Sequence, residues 1–164
     1  MKSITIGKFK FVKTWVFPSD VSKFLIQCMS RYGKNHWSEV EQCFIKEKFT
    51  HVFCGDSKLG DFRIDKDPER KPDLVADCLD LPEILGKNSQ DHVIADPPWQ
   101  INHRDRQLFS YALRDICKVG GVLIINSPWS PWCVGLDFLS VTKVMPHFNN
   151  YRDLTDWWIL RKVK

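Results

Sequence analysis

The sequence predicts a single α/β domain: a mostly parallel sheet with helices on both faces. Two observations carry that expectation. Short apolar runs recur at residues 51–54, 62–64, 74–76, 92–95 and 122–125. Short buried runs of this kind are how parallel strands read, because both of their faces are covered. Several runs also end in a glycine or an acid: Gly55, Asp65, Asp77 and Asp96. In parallel sheets ligands bind outside the carboxyl ends of the strands. Four such ends are therefore expected to converge on one edge.

The elements follow in order. Residues 8–17 alternate loosely and suggest a strand. Ser19 is a good N-cap for a helix whose stripe is Phe24, Leu25, Cys28 and Met29, with Gly33 as the stop. Asn35 or Ser38 opens a second helix through Val40, Cys43 and Phe44. Residues 1–49 thus form an extended and helical N-terminal part, and 50–164 the α/β core, within one domain spanning 1–164. Between Asp96 and Val122 a helix is expected on the stripe Leu108, Tyr111, Ala112, Asp115 and Ile116, closed by Gly120 and Gly121. Residues 140–145 and 156–163 are the last two strands.

Bulk properties fit this picture. The chain has 164 residues, 43% hydrophobic and 27% charged, which is enough for one domain with a real core. No stretch approaches the roughly 20 apolar residues of a membrane span, and the start lacks the apolar run of a signal peptide. A net charge of +4 tolerates a polyanionic partner without announcing one. Six cysteines are spread without a C-x-x-C pair, so no metal site is expected, and reduced thiols in a cytoplasmic protein are.

The stretch DHVIADPPW (91–99) is the most informative. Proline cannot extend a sheet and restricts the residue before it, so the strand must stop at Asp96. A carboxylate, carbonyls without competing N–H groups and a flat ring are then bunched at one strand end. That arrangement suits a site better than a core.

FCGDSKLG, FRID, DLVADCLDLP and DHVIADPPW, in that order, resemble the S-adenosylmethionine-dependent amino-methyltransferases of the class I Rossmann-like fold. The glycine turn comes first and the D-P-P-[YW] tetrapeptide second, as in the adenine-N6 methyltransferases of DNA. The Trp form is also similar to the adenosine-N6 methyltransferases of RNA. The resemblance covers residues 50–127. It implies S-adenosylmethionine as cofactor, with Phe53, Cys54 and Gly55 approaching its methionine part and Asp65 on the ribose hydroxyls. It implies Asp77 on the adenine amino group, with Cys78 and Leu79 beside it. Asp96, Pro97, Pro98 and Trp99 are implied as the catalytic tetrapeptide, with Asp96 also facing the cofactor.

The chemistry accounts for these residue types. An exocyclic amine is a poor nucleophile because its lone pair is delocalised into the ring. Asp96 and the Pro97 carbonyl can accept its two hydrogens and favour a pyramidal nitrogen, and fixing both reactants in line supplies much of the rate. Trp99 offers a π-face to a base taken out of its stack. No strong base is needed before attack.

Alternatives stand beside several of these readings. Asp65 is also a cap or surface acid of the DKDPE segment. Asp77 competes with Asp80, and either suits an N-cap. Cys54 reads as a small buried residue and His92 as structural. Asn102, His103 and Arg104 follow the tetrapeptide and are candidate substrate contacts, the latter two at phosphate. Ser127, Pro128 and Trp129 read either as a lip beside the target base or as an aromatic plug. Residues 146–152 form a polar turn that could reach the same edge.

Two departures from the family's pattern are visible. The G-x-G-x-G run is reduced to Gly55 and Gly60, and the short spacing to Phe62 shrinks the first crossover helix to a loop. No target-recognition domain follows the tetrapeptide, so selectivity would rest on short loops, a homodimer or a partner subunit. The expectation is methyl transfer to adenine N6 in a nucleic acid, DNA ahead of RNA, with no membrane partner. Compact size suggests a phage or prokaryotic source. Cytosine N4 fits less well, since enzymes of that type carry Ser where Asp96 stands. A non-catalytic nucleic-acid-binding subunit and a protein or small-molecule amine methyltransferase are the other readings.

Overall fold

Seven strands form one sheet in the order β3-β2-β1-β4-β5-β7-β6. The computed structural model describes residues 48–98, 100–144 and 155–164. The strand expected at 8–17, the two N-terminal helices with Cys28 and Cys43, Trp99, Met145 and the turn at 146–152 lie outside the described residues.

The strands are β1 (Phe49–Val52), β2 (Phe62–Asp65), β3 (Leu74–Val75), β4 (His92–Ala95), β5 (Val122–Ser127), β6 (Leu136–Val144) and β7 (Thr155–Lys162). Neighbours from β3 through β5 pair in parallel, and β7 runs antiparallel to both β5 and β6. Every residue of β4 and β5 is buried, as both-sided cover requires of central parallel strands. The first strand starts and stops two residues earlier than the apolar run 51–54. Phe53 takes a left-handed φ of 58° and leaves the sheet, so Cys54 already belongs to the turn.

The strand order reverses between β1 and β4. Right-handed crossovers leaving toward β2 and toward β5 must then run on opposite faces. The segment 53–61 supplies the first crossover without a helix, as its short spacing predicts. It crosses the sheet close to His51, whose ring nitrogen Nδ1 meets the Leu59 carbonyl at 3.1 Å. Gly60, at φ 104°, passes so near that a Cβ there would lie 3.0 Å from His51 Cβ.

The second crossover is helical. A short helix α1 (Leu81–Ile84), from the β3–β4 connection, packs beside the long helix α2 (His103–Ile116) that forms this crossover, on the face opposite that loop. Asn102 caps α2: its side-chain oxygen accepts from the Asp105 N–H at 3.0 Å, and its amide donates to the Asp105 carboxylate at 2.6 Å. Phe109, Ala112, Leu113 and Ile116 form the buried stripe, packed with Val93, Ala95, Leu123 and Ile125. The helix is therefore turned by one position from the expected stripe. Leu108 and Tyr111 are exposed, because 108/111/112/115 and 109/112/113/116 are both helical spacings and only the sheet's shape chooses between them. On the opposite face His51, Ile94, Ile124 and Ile159 are equally closed to solvent. No helix of the described residues is long and apolar enough to cross a membrane.

Candidate active site at the carboxyl ends of the strands

The reversal of strand order puts a switch point, where sheets of this kind bind ligands, at the carboxyl ends of β1 and β4. Phe53 to Gly55 and Asp96 to Pro98 leave from those two strands, paired at Val52 and Ala95. The Asp96 N–H still donates to the Val52 carbonyl at 3.3 Å, which ties the start of the tetrapeptide to the start of the glycine turn.

Asp65 closes the turn from the β2 side. One carboxylate oxygen accepts from the Gly55 N–H at 2.8 Å, and the other from the Asp67 N–H at 3.0 Å. Two ionised oxygens offer about four acceptor positions, so two stay available for hydroxyl donors. Gly55 itself sits at φ 51°, where glycine carries no steric cost. Arg70 bridges the loops around this acid: it reaches Asp56 at 2.8 Å and Asp67 at 3.2 Å. Cys54 is buried, and burial pushes its thiol up to about 11, so it offers packing rather than a nucleophile.

Asp77 stands beyond β3 and is exposed. It is an N-cap: one oxygen accepts from the Leu79 N–H at 3.0 Å, opening the turn Cys78–Asp80. Its other oxygen makes no contact among the described residues and faces solvent. Cys78 is buried in the core and Leu79 is exposed, so apolar contact here would come from Leu79.

Asp96 is the most perturbed carboxyl at the switch point. Desolvation pushes it up to about 7, opposed by a hydrogen bond from Asn126. That bond runs from Asn126 Nδ2 to Asp96 Oδ1 at 2.9 Å, across the ends of the paired strands β4 and β5. It fixes the carboxyl and leaves Oδ2 as the acceptor for a ligand. Pro97 is buried and Pro98 exposed. The Pro98 carbonyl accepts from the Ile101 N–H at 3.3 Å, so the chain turns at once into the cap of α2.

Of the expected substrate contacts, His103 and Arg104 project into solvent from the first turn of α2. Asn102 is engaged as the cap. The fully buried Ser127 hydroxyl donates to the Trp129 carbonyl at 2.6 Å, which makes Ser127 a turn former. Pro128 is exposed. Trp129 is half-buried and combines the lip and plug readings: its ring packs edge-on against Phe109, which in turn meets Phe53. His92 accepts from the Val122 N–H at 3.1 Å inside the sheet and is structural.

Two further residues join the site. Asn126 is the penultimate residue of the buried strand β5, a polar group near a strand's carboxyl end as Asp96 is. Arg106 lays its guanidinium 4.2 Å from the Trp129 ring centroid while its Nε donates to the Ile101 carbonyl at 2.9 Å. Its partner lies in a distant stretch of sequence, so no local pattern marks it.

No family model and no curated protein matches the chain. Solved structures do. TrmN from Thermus thermophilus is similar with a TM-score of 0.58 at 13% identity, over 85% of this chain and 48% of TrmN, so the chain spans about half of that protein. A chain from the complex of the Haloferax volcanii Trm112 methyltransferase activator with its methyltransferase is similar with a TM-score of 0.55 at 13% identity, over 88% of this chain and 96% of that one. A 16S rRNA (adenine(1408)-N(1))-methyltransferase from Catenulisporales acidiphilia gives 0.52 at 13% identity, over 77% of this chain and 91% of that one. With its strand order, its parallel core and its antiparallel β7, the chain has the class I Rossmann-like methyltransferase fold.

Proposed function

We propose that the protein transfers a methyl group from S-adenosylmethionine to an exocyclic amine of a nucleobase, adenine N6 first. The observation that carries this reading is the Asp96 carboxyl, fixed by Asn126 and desolvated at the switch point of the sheet. The residues present fit the cofactor. Asp65, held by two backbone N–H groups, keeps acceptor positions for two ribose hydroxyls. Asp77 offers an exposed oxygen to an amino group, with Leu79 beside it for the flat face of a purine. When bound, the sulfonium supplies an electrophilic methyl group.

The protein's part is to present the amine. Asp96 Oδ2 and the Pro97 carbonyl accept its two hydrogens and turn the nitrogen lone pair away from the ring. The amine's proton becomes acidic once the nitrogen is alkylated. A carboxyl near 7 then holds that proton at Oδ2 until solvent takes it. Trp99 completes the tetrapeptide as the stacking face for the base. His103 and Arg104 are exposed in the first turn of α2 and suit phosphate. Beyond the carboxyl ends of β2 and β3 stand Asp56 and Asp67, both paired with Arg70, and the exposed Asp77 and Asp80.

DNA is the first expectation from the tetrapeptide order. RNA is the second reading, and the structural likeness to an rRNA adenine methyltransferase favours it. The test is transfer of labelled methyl from S-adenosylmethionine to matched DNA and RNA oligonucleotides, with nucleoside analysis of the product. Labelled N6-methyladenine that disappears in Asp96→Ala supports the reading. No labelled base from either polymer rejects it, and label on protein or a small amine moves it to another substrate class.

A further inference from the structure

We infer that Arg106 is a positioning residue for the target base, acting through the loop that follows the tetrapeptide. The inference rests on the methyltransferase reading and deepens it. The chain leaving β4 must hold the Pro97 carbonyl in place. The turn has one internal hydrogen bond among the described residues, from the Ile101 N–H to the Pro98 carbonyl. Arg106 adds an anchor from outside: its Nε donates to the Ile101 carbonyl at 2.9 Å.

The same guanidinium sits over the Trp129 ring, its Cζ 4.2 Å from the ring centroid. Trp129 is in turn fixed by Phe109 at 6.4 Å and by the Ser127 hydroxyl on its carbonyl. Phe109 meets Phe53 of the glycine turn at 6.1 Å. One planar group thus couples the loop after β4 to the segment after β5, and through three rings to the turn after β1. These three segments leave the sheet at or beside the switch point. The function needs a plane and a directed N–H together. Lysine has the charge but offers neither the stacking face nor the fixed fork.

The geometry predicts a specific pattern. A loosened loop misplaces the amine against the methyl donor, and such misplacement costs on the order of ten- to a hundredfold in turnover. Cofactor affinity rests on Asp65, Asp77 and the Gly55 turn that Asp65 holds, none of which Arg106 touches directly, so it stays near the wild-type value.

The experiment compares wild type, Arg106→Lys, Arg106→Ala, Trp129→Leu and the Arg106→Ala/Trp129→Leu double variant in the full chain. It reads kcat and KM for labelled methyl transfer to an adenine-containing oligonucleotide, and the S-adenosylmethionine Kd by calorimetry as a check on folding. The expected result is an unchanged cofactor Kd, a tenfold or larger fall in kcat for Arg106→Ala, and nearly the same fall for Arg106→Lys. The double variant should be no worse than the poorer single one, because both remove one coupled contact. Wild-type kcat in Arg106→Lys would overturn the inference, since charge alone would then suffice. Multiplying losses in the double variant would overturn it too. A wild type that binds no cofactor and methylates nothing rejects the function itself, and is told apart by that.

Discussion

Replacing Asp96 by Asn is expected to stabilise the protein at alkaline pH while abolishing its activity. The Asp96 carboxyl moves from an ordinary 3.8 to about 7 in the fold, mainly by desolvation. Between those values the folded state binds a proton that the unfolded state has released. The stability that this proton contributes is fully present below about 4 and is lost as pH rises through about 7. The displacement corresponds to roughly 4 kcal/mol above pH 8 and under about 2 kcal/mol at pH 5. Asn keeps the shape and an oxygen for Asn126 but carries no charge at either pH. In a chain of this size roughly 4 kcal/mol moves the melting temperature by about ten degrees. Buried His51 runs the other way: desolvation lowers it to about 4, so its contribution is lost as pH falls below its ordinary 6.5. That effect is common to both proteins and cancels in the difference. Thermal and urea unfolding of wild type and Asp96→Asn at pH 5 and 8.5 measure it. An equal shift at both pH values, or a less stable variant at pH 8.5, would refute the desolvation argument.

Two further predictions concern the site and its scaffold. The kcat/KM profile for methyl transfer should rise through about pH 7 as Asp96 ionises, and Asn126→Ala should move the rise to higher pH by removing the bond that opposes desolvation; a rise that stays put or moves to lower pH contradicts the assignment. At Gly121 an added Cβ would lie 2.3 Å from the Asp91 carbonyl oxygen and 2.7 Å from Cys117 Sγ, so Gly121→Ala should cost about 2 kcal/mol or more in urea unfolding. Its neighbour Gly120 has open space around it and φ 86°, so Gly120→Ala should cost only about 1 kcal/mol of backbone strain.

The strands and their polar ends were legible because both follow from short-range chemistry. Apolar runs mark buried strands, and an acid followed by two prolines must end one. The missing first helix was legible too, since the spacing before Phe62 leaves no room for it. What escaped depends on tertiary context. Phe53 leaves the sheet with a left-handed backbone that no local pattern announces. The stripe of α2 was misplaced by one residue because Leu108 and Tyr111 are as apolar as their buried neighbours. Asn126 carried the signal of a polar residue near the end of a buried strand, but its bond to Asp96 depends on the pairing of β4 with β5. Arg106 reads as one of the basic residues beside the tetrapeptide, but its contact with Trp129 is set only by the fold.

The central claim is that the carboxyl ends of β1 to β4 hold S-adenosylmethionine, with Asp65 on its ribose. Isothermal titration with S-adenosylmethionine and S-adenosylhomocysteine, on wild type and Asp65→Asn, tests it most directly. Asn keeps one oxygen for the turn but loses the second acceptor that two hydroxyls need. Saturable binding of both compounds by the wild type, weakened tenfold or more in Asp65→Asn, is the predicted result. Absence of binding by a folded wild type, or equal binding by both proteins, would contradict it.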